Sequence, residues 1–195
     1  MVTLLGKSSG KITAVAKAAR RSKKRFSGGI DLFDCGECEF SSSKRPGRLP
    51  VLLAINDKEA WPQLRTNLVR LSLGAFCLEL TNCFVVDGDV EGSMLFNPLF
   101  LSLRSLCRSA YDNEAYAIAS YFALRVLQTS GFSLLHSEFA LGTFCRQWFH
   151  EMLSASAPIV PHEEQAIYEG FSRLVTYIEQ TLGHPLRTHP AIPRV

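Results

Sequence analysis

The first thirty positions of this chain contain no acidic residue; the earliest is Asp31. Long apolar runs are missing too. A membrane-spanning helix needs about 20 nearly continuous apolar residues, and the richest segment, Met94 to Leu103, is interrupted by Asn97 and Pro98. No membrane association is therefore expected. The opening Met1 to Leu5 stretch is too short for a signal peptide and leads into a glycine, lysine and serine loop, so a cytoplasmic location is expected. A Gly-rich phosphate loop of the Walker or Rossmann type is absent, which argues against an intrinsic nucleotidase. Internal repeats are absent as well. Paired catalytic groups are also lacking. His136, His150, His162, His184 and His189 stand away from any evident acid or nucleophile, and Cys145 and His150, five positions apart, do not share a helical face. The chain is expected not to be an enzyme.

What is present in their place is positive charge at one end. Lys7, Lys11, Lys17, Arg20, Arg21, Lys23, Lys24 and Arg25 are followed by Lys44, Arg45 and Arg48. Through residue 48 there are eleven basic and four acidic side chains, a formal +7; the remainder has ten basic and fourteen acidic, a formal −4. The whole-chain value of +3 conceals that asymmetry. Such a cluster draws a polyanion, and neutralising phosphates releases counterions and so supplies affinity independent of base sequence. These eleven residues are the expected phosphate contacts. The plain alternative is a solvated basic arm with no dedicated partner. Phe26, next to Arg25, could stack on a base, but an apolar plug for a small barrel is the preferred role.

Two thiols invite a metal or redox reading. Cys35-Gly36-Glu37-Cys38 could be half of a tetrahedral zinc site, but no second pair follows, and the pair lies in a strand and turn region rather than at a helix N-terminus. Incidental thiols in a hairpin are expected, with a labile metal site or an adventitious disulfide as alternatives. Of the six cysteines, four sit in apolar surroundings, as in Phe76-Cys77-Leu78, and read as buried free thiols in a reducing compartment. No cofactor is expected.

The pattern along the chain predicts an α+β protein. Residues 1–55 look like short strands and tight turns: Ile12, Ala14 and Ala16 alternate, Ser27-Gly28-Gly29 turns the chain into Ile30 to Phe33, a strand covers Cys38 to Ser42, and Pro46-Gly47 leads to a last strand from Leu49 to Ile55. That suits a small antiparallel β-barrel. Residues 56–195 change to helical spacing. Leu64, Leu68, Leu71, Ala75 and Leu78 mark one helix, with Pro62 at its start; another spans Ser93 to Tyr111. A third has Asp112 as N-cap and Gly131 after its end, Phe139 to Leu153 supplies another, and the last runs from Glu163 to Leu182 before Gly183-His184-Pro185. Glu79 and Arg125 are lone charges in apolar helices, and an interhelical ion pair between them is expected, the alternative being two exposed edges.

Four stretches in this order resemble the bacterial RecO recombination mediator proteins: Gly10-Lys11-Ile12 through Arg25, Leu78-Glu79-Leu80, Tyr121 to Leu127 leading into Gly131-Phe132, and Leu182-Gly183-His184-Pro185-Leu186. The resemblance implies an N-terminal OB-fold and a helical C-terminal domain. It further implies binding of single- and double-stranded DNA, strand annealing, and work with RecR and single-stranded DNA-binding protein to load RecA, in association with the nucleoid. Two departures stand out. Many members carry four cysteines in the C-terminal domain as a zinc site, whereas here only Cys145 stands there, so zinc is not expected. The residues before Val2-Thr3-Leu4-Leu5 would normally supply the first barrel strand, so the barrel is expected to be incomplete; either an upstream start is absent, or the domain lacks that strand and DNA binding is impaired. Arg104 and Arg108 are candidates for an acidic partner tail or for surface ion pairs. The competing functional reading is a protein–protein adaptor whose helical domain docks a partner, and a third is a thiol-dependent enzyme using Cys35 and Cys38.

Overall fold

Val2-Thr3-Leu4-Leu5-Gly6 is aliphatic and β-branched, and it forms strand β1 (Val2–Gly6), which pairs antiparallel with β2 (Gly10–Ala14) so that Val2 faces Ala14 and Gly6 faces Gly10. The three residues between them close the hairpin because Gly10 adopts φ 65°, a left-handed conformation that a side chain disfavours. The structure is a computed structural model describing residues 1–17, 19, 23–26, 29–41, 48–59, 61–188 and 190, apart from the side chains of Lys23 and Lys24. It divides into two compact units, Met1–Pro62 with Val85–Phe96, and Gln63–Phe84 with Asn97–Val195.

In the first unit a short helix α1 (Lys23–Phe26) precedes β3 (Cys35–Ser41) and β4 (Val51–Glu59). The last two pair antiparallel, Cys38 opposite Ile55 and Ser41 opposite Val51, with register shifts between Cys35 and Glu37 and between Glu39 and Phe40. At the first shift β4 carries the extra residue, and Asp57 takes φ 46° there. Ala14, Phe26, Leu52 and Ile55 form the core, with Val2, Leu4, Ile12, Ile30 and Phe40 packed around them.

The α+β class holds, but the strands form two two-stranded sheets and not a closed barrel. Among the described residues an isolated bridge, one position past the end of β2, is what joins that strand to β4: Val15 N donates to the Pro50 carbonyl at 2.9 Å, and Leu52 N donates to the Val15 carbonyl at 3.0 Å. Closure would need a continuous ladder along that seam. The strand expected over Ile30 to Phe33 is a turn instead. Asp34 Oδ2 accepts the Asp31 N–H at 2.7 Å, Asp31 Oδ1 accepts the Leu32 N–H at 2.8 Å, and Lys58 reaches across to Asp34 at 2.9 Å. Side-chain carboxylates that bond the local backbone compete with strand pairing, and here they prevail over the β preference of Ile30 and Phe33.

The second unit is helical. It contains α2 (Gln63–Thr66), α3 (Leu68–Phe84), α4 (Phe96–Arg108), α5 (Asp112–Thr129), α6 (Thr143–Ser154) and α7 (Glu164–Leu182). The single helix expected from Leu64 onward is broken at Asn67, whose Oδ1 accepts the Arg70 N–H at 3.0 Å and thereby starts α3. The helix expected from Ser93 begins as a 3₁₀ turn, Glu91–Leu95. Helix α5 lies at the centre, buried nearly all round, and packs against α3, α6 and α7. Its alanines, Ala115, Ala117, Ala119 and Ala123, are fully buried and allow its neighbours to come close. Tyr111 is the N-cap, one residue before the expected Asp112, and Glu114 reaches back to the Ala110 N–H at 2.9 Å. Its end follows glycine chemistry: Gly131 has φ 81°, and Phe132 N bonds the Leu127 carbonyl at 2.8 Å.

An edge-to-face aromatic group ties α5 to α7. The Tyr116 ring lies 5.0 Å from Tyr168 and 5.1 Å from Phe171, and Phe171 lies 5.2 Å from Phe76 of α3. Gly170 of α7 abuts the indole of Trp148 on α6 so closely that a Cβ there would lie 2.6 Å from a ring carbon.

Candidate nucleic-acid interface

Five of the eleven expected phosphate contacts have described side chains. Lys7 is exposed in the β1–β2 turn, Lys17 is exposed beyond the end of β2, and Arg48 is exposed ahead of β4. Arg25, at the close of α1, donates to the Lys17 carbonyl at 2.8 Å, which holds its guanidinium 5.3 Å from the centre of the Phe26 ring. Lys11 on β2 donates from Nζ to the Val85 carbonyl at 2.8 Å. Lys23 and Lys24 belong to α1 by their backbone; Arg20, Arg21, Lys44 and Arg45 lie outside the described residues. Phe26 is fully buried, so its ring belongs to the core and offers no face to a base.

A second feature of this face had no signal in the sequence. The segment from Val85 to Phe96 returns to the first unit and lies along β2: Asp87 bridges Lys11, Gly88 N donates to the Lys11 carbonyl at 2.9 Å, and a Cβ on Gly10 would lie 1.8 Å from the Asp89 carbonyl oxygen. Val85 and Leu95 are buried, while Asp87, Asp89 and Glu91 are exposed.

Neither thiol of the Cys35 and Cys38 pair is activated. Burial pushes both up from the ordinary thiol value, aided by the nearby charge of Glu59 at Cys35 and by Cys35 at Cys38. A nucleophilic or redox cysteine needs the opposite shift. Among the described residues no group of three His, Cys, Asp or Glu side chains is placed to hold a metal ion. No described helix is long and apolar enough to cross a membrane.

The ion pair expected between Glu79 and Arg125 does not form, because each has found partners of its own. The Glu79 carboxylate accepts the Arg187 N–H at 2.7 Å and the Thr188 N–H at 2.7 Å, together with the Thr188 hydroxyl. Burial acts to raise its pKa, but these hydrogen bonds and the Arg187 charge outweigh it and hold the carboxyl below its usual range. The Arg125 guanidinium donates to the Ala155 carbonyl at 2.6 Å, to Gln128 at 3.0 Å and to the Tyr121 hydroxyl at 3.1 Å. Backbone groups can satisfy a charge as fully as an opposite charge can, and lone charges in a sequence do not reveal which they will meet.

Comparison with known proteins bears on what this arrangement is. The DNA repair protein RecO of Syntrophobacter fumaroxidans is 31% identical over 132 residues, 68% of this chain and 50% of that protein. RecO of Desulfatibacillum aliphaticivorans is 29% identical over 133 residues, again 68% and 50%, and RecO of Exiguobacterium sp. is 24% identical over 99% of this chain and 75% of its own length. This chain belongs to the RecO family. It spans about half the length of the first curated relatives it matches. No family model and no solved structure matches it.

Seen in the structure, the stretches that carry the RecO resemblance serve mainly as scaffold. Gly10 and Lys11 receive the Val85–Phe96 segment, and Tyr121 to Leu127 is the buried body of α5. Gly183, at φ 74°, ends α7, after which the Leu186 N–H meets Glu179 at 2.9 Å and the next two amides meet Glu79.

Proposed function

We propose that this chain acts in DNA repair as a non-enzymatic recombination mediator. Its nucleic-acid-binding domain, expected over residues 1–55, corresponds to the first unit, which extends through β4 and takes in Val85–Phe96, and its helical domain, expected over 56–195, to the second. It binds single- and double-stranded DNA through Lys7, Lys11, Lys17, Arg20, Arg21, Lys23, Lys24, Arg25, Lys44, Arg45 and Arg48. By screening the repulsion between complementary strands it anneals them, and with RecR it helps load RecA onto strands covered by single-stranded DNA-binding protein. Its place is the cytoplasm, at the nucleoid. The relatives named DNA repair protein RecO support the DNA repair role, and the basic first quarter of the chain is the observation that carries the binding mode. Annealing breaks no covalent bond, so the mechanism asks for no general acid, base or nucleophile; it asks for phosphate neutralisation on a small folded support.

The test is a fluorescence-anisotropy titration of labelled single-stranded DNA over a range of salt, with wild type and with Arg20, Arg21, Lys23, Lys24 and Arg25 changed to alanine. Affinity should fall log-linearly with salt, and the slope should shrink by about 0.7 for each lost phosphate contact. Equal slopes for the two proteins would remove the basic segment from the interface. Absence of binding at low salt would leave the adaptor reading in its place.

A further inference from the structure

The Val85–Phe96 segment lies against the strand that begins the basic region, and it opposes that region in charge. Asp87, Asp89 and Glu91 are three carboxylates within five positions, without an intervening base. The backbone path fixes where they lie. Lys11, one of the proposed phosphate contacts, donates its ammonium to the Val85 carbonyl at 2.8 Å; its own carbonyl accepts the Gly88 N–H at 2.9 Å; and its backbone bridges Asp87 in parallel register. One residue earlier the Asp89 carbonyl sits where only glycine leaves room, since a Cβ on Gly10 would approach it to 1.8 Å. The segment is anchored from both ends by buried Val85 and Leu95, and Gly92 lets Val85 pack against it, for a Cβ at Gly92 would meet a Val85 methyl at 2.2 Å. The acidic side chains between those anchors are all exposed.

We propose that this acidic strap is an autoinhibitory element: it captures Lys11 and sets negative charge beside the β1–β2 hairpin, so that incoming DNA must overcome it. The proposal rests on the DNA-binding reading above and adds its regulation. The physics is local repulsion. A phosphate placed within about 10 Å of the strap feels its carboxylates with little screening at low ionic strength and much less strongly at high salt. The fold holds the strap beside β2 through backbone hydrogen bonds and glycine contacts, so removing its charge leaves its path intact. Even the local turn survives neutralisation, because Asp89 Oδ1, which accepts the Glu91 N–H at 2.9 Å, has its counterpart in asparagine.

The experiment compares the full chain with D87N/D89N/E91Q and with a control of equal charge change on the helical unit, E138Q/E151Q/E163Q, each checked for unchanged circular dichroism. Binding of a labelled single strand is measured at about 50 mM and about 300 mM salt. The strap variant should bind about three- to tenfold more tightly than the control at the lower salt, and the difference should largely vanish at the higher. Equal gains in the two variants would assign the effect to net charge and overturn the strap. A strap variant no tighter than wild type would also overturn it while leaving DNA binding standing. No binding by any of the three would overturn the DNA-binding reading and the strap with it.

Discussion

The Glu79 carboxylate on α3 accepts the backbone N–H of Thr188 at 2.7 Å, joining positions 109 residues apart in the chain. With the Arg187 amide and the Thr188 hydroxyl on the same carboxylate, one side chain fastens the segment that follows α7. Glu79→Ala should lower stability by about 1–2 kcal/mol, since the freed amides can recruit some water. The effect depends on pH with a definite sign. A carboxyl held below its ordinary value in the folded state contributes stability that is fully present above the unfolded value of about 4.3 and is lost as pH falls through the folded value. Denaturant unfolding of wild type and Glu79→Gln should therefore show a constant gap above about pH 5 that narrows in more acidic buffer.

Because Glu79 and Arg125 share no partner, their substitutions should add. A double-mutant cycle with Glu79→Gln and Arg125→Gln should give a coupling energy of about 0.5 kcal/mol or less. A coupling of several kcal/mol would mean that the two charges meet in solution.

The contact between Gly170 and Trp148 leaves no space for a methyl group. Gly170→Ala should destabilise the helical unit by about 1–2 kcal/mol even though alanine is the better helix former by about 1 kcal/mol, because the buried indole must move. Thermal unfolding followed by Trp fluorescence would measure it. A raised melting temperature would show that the indole yields without cost.

Raised thiol values predict slow chemistry. At pH 7.5 Cys35 and Cys38 should react with iodoacetamide more slowly than a free cysteine, and the rate should climb with pH beyond the range where an ordinary thiol has levelled off. Changing both to serine should leave DNA affinity within about twofold of wild type. A fast-reacting thiol at neutral pH would restore the thiol-enzyme reading.

Much of the helical half was legible because its signals are local and repeated. Alternation at three and four positions, together with Gly131 and Gly183 just past the helix ends, placed α5 and α7 to within a residue. In the strand half, side chains decided what periodicity could not. Asp31 and Asp34 turned a β-like Ile30 to Phe33 into a loop, and the basic run, within a region read as short strands and tight turns, contains a turn of helix at Lys23–Phe26. Glu79 was recognisable as a charge in need of a partner, but its partners are amides, which every residue but proline possesses and which therefore leave no mark in a sequence. The strap is illegible for a related reason: its pairing with β2 crosses 74 positions, and its glycines and carboxylates would suit any surface turn.

The distance along the chain between Glu79 and Thr188 sets an order of events during synthesis. At about 5–20 residues per second, α3 leaves the ribosome roughly 5–20 s before its fastening partners exist, over the 109 residues that separate them. Through that interval the carboxylate stays hydrated, and for its earlier part the buried faces of Phe76 and Leu80 wait for α5 and then for Phe171 of α7 to be synthesised. The nascent helical unit thus passes through a window in which holdase chaperones compete with folding, and a ribosome stalled before residue 188 presents a chain whose last clasp cannot close.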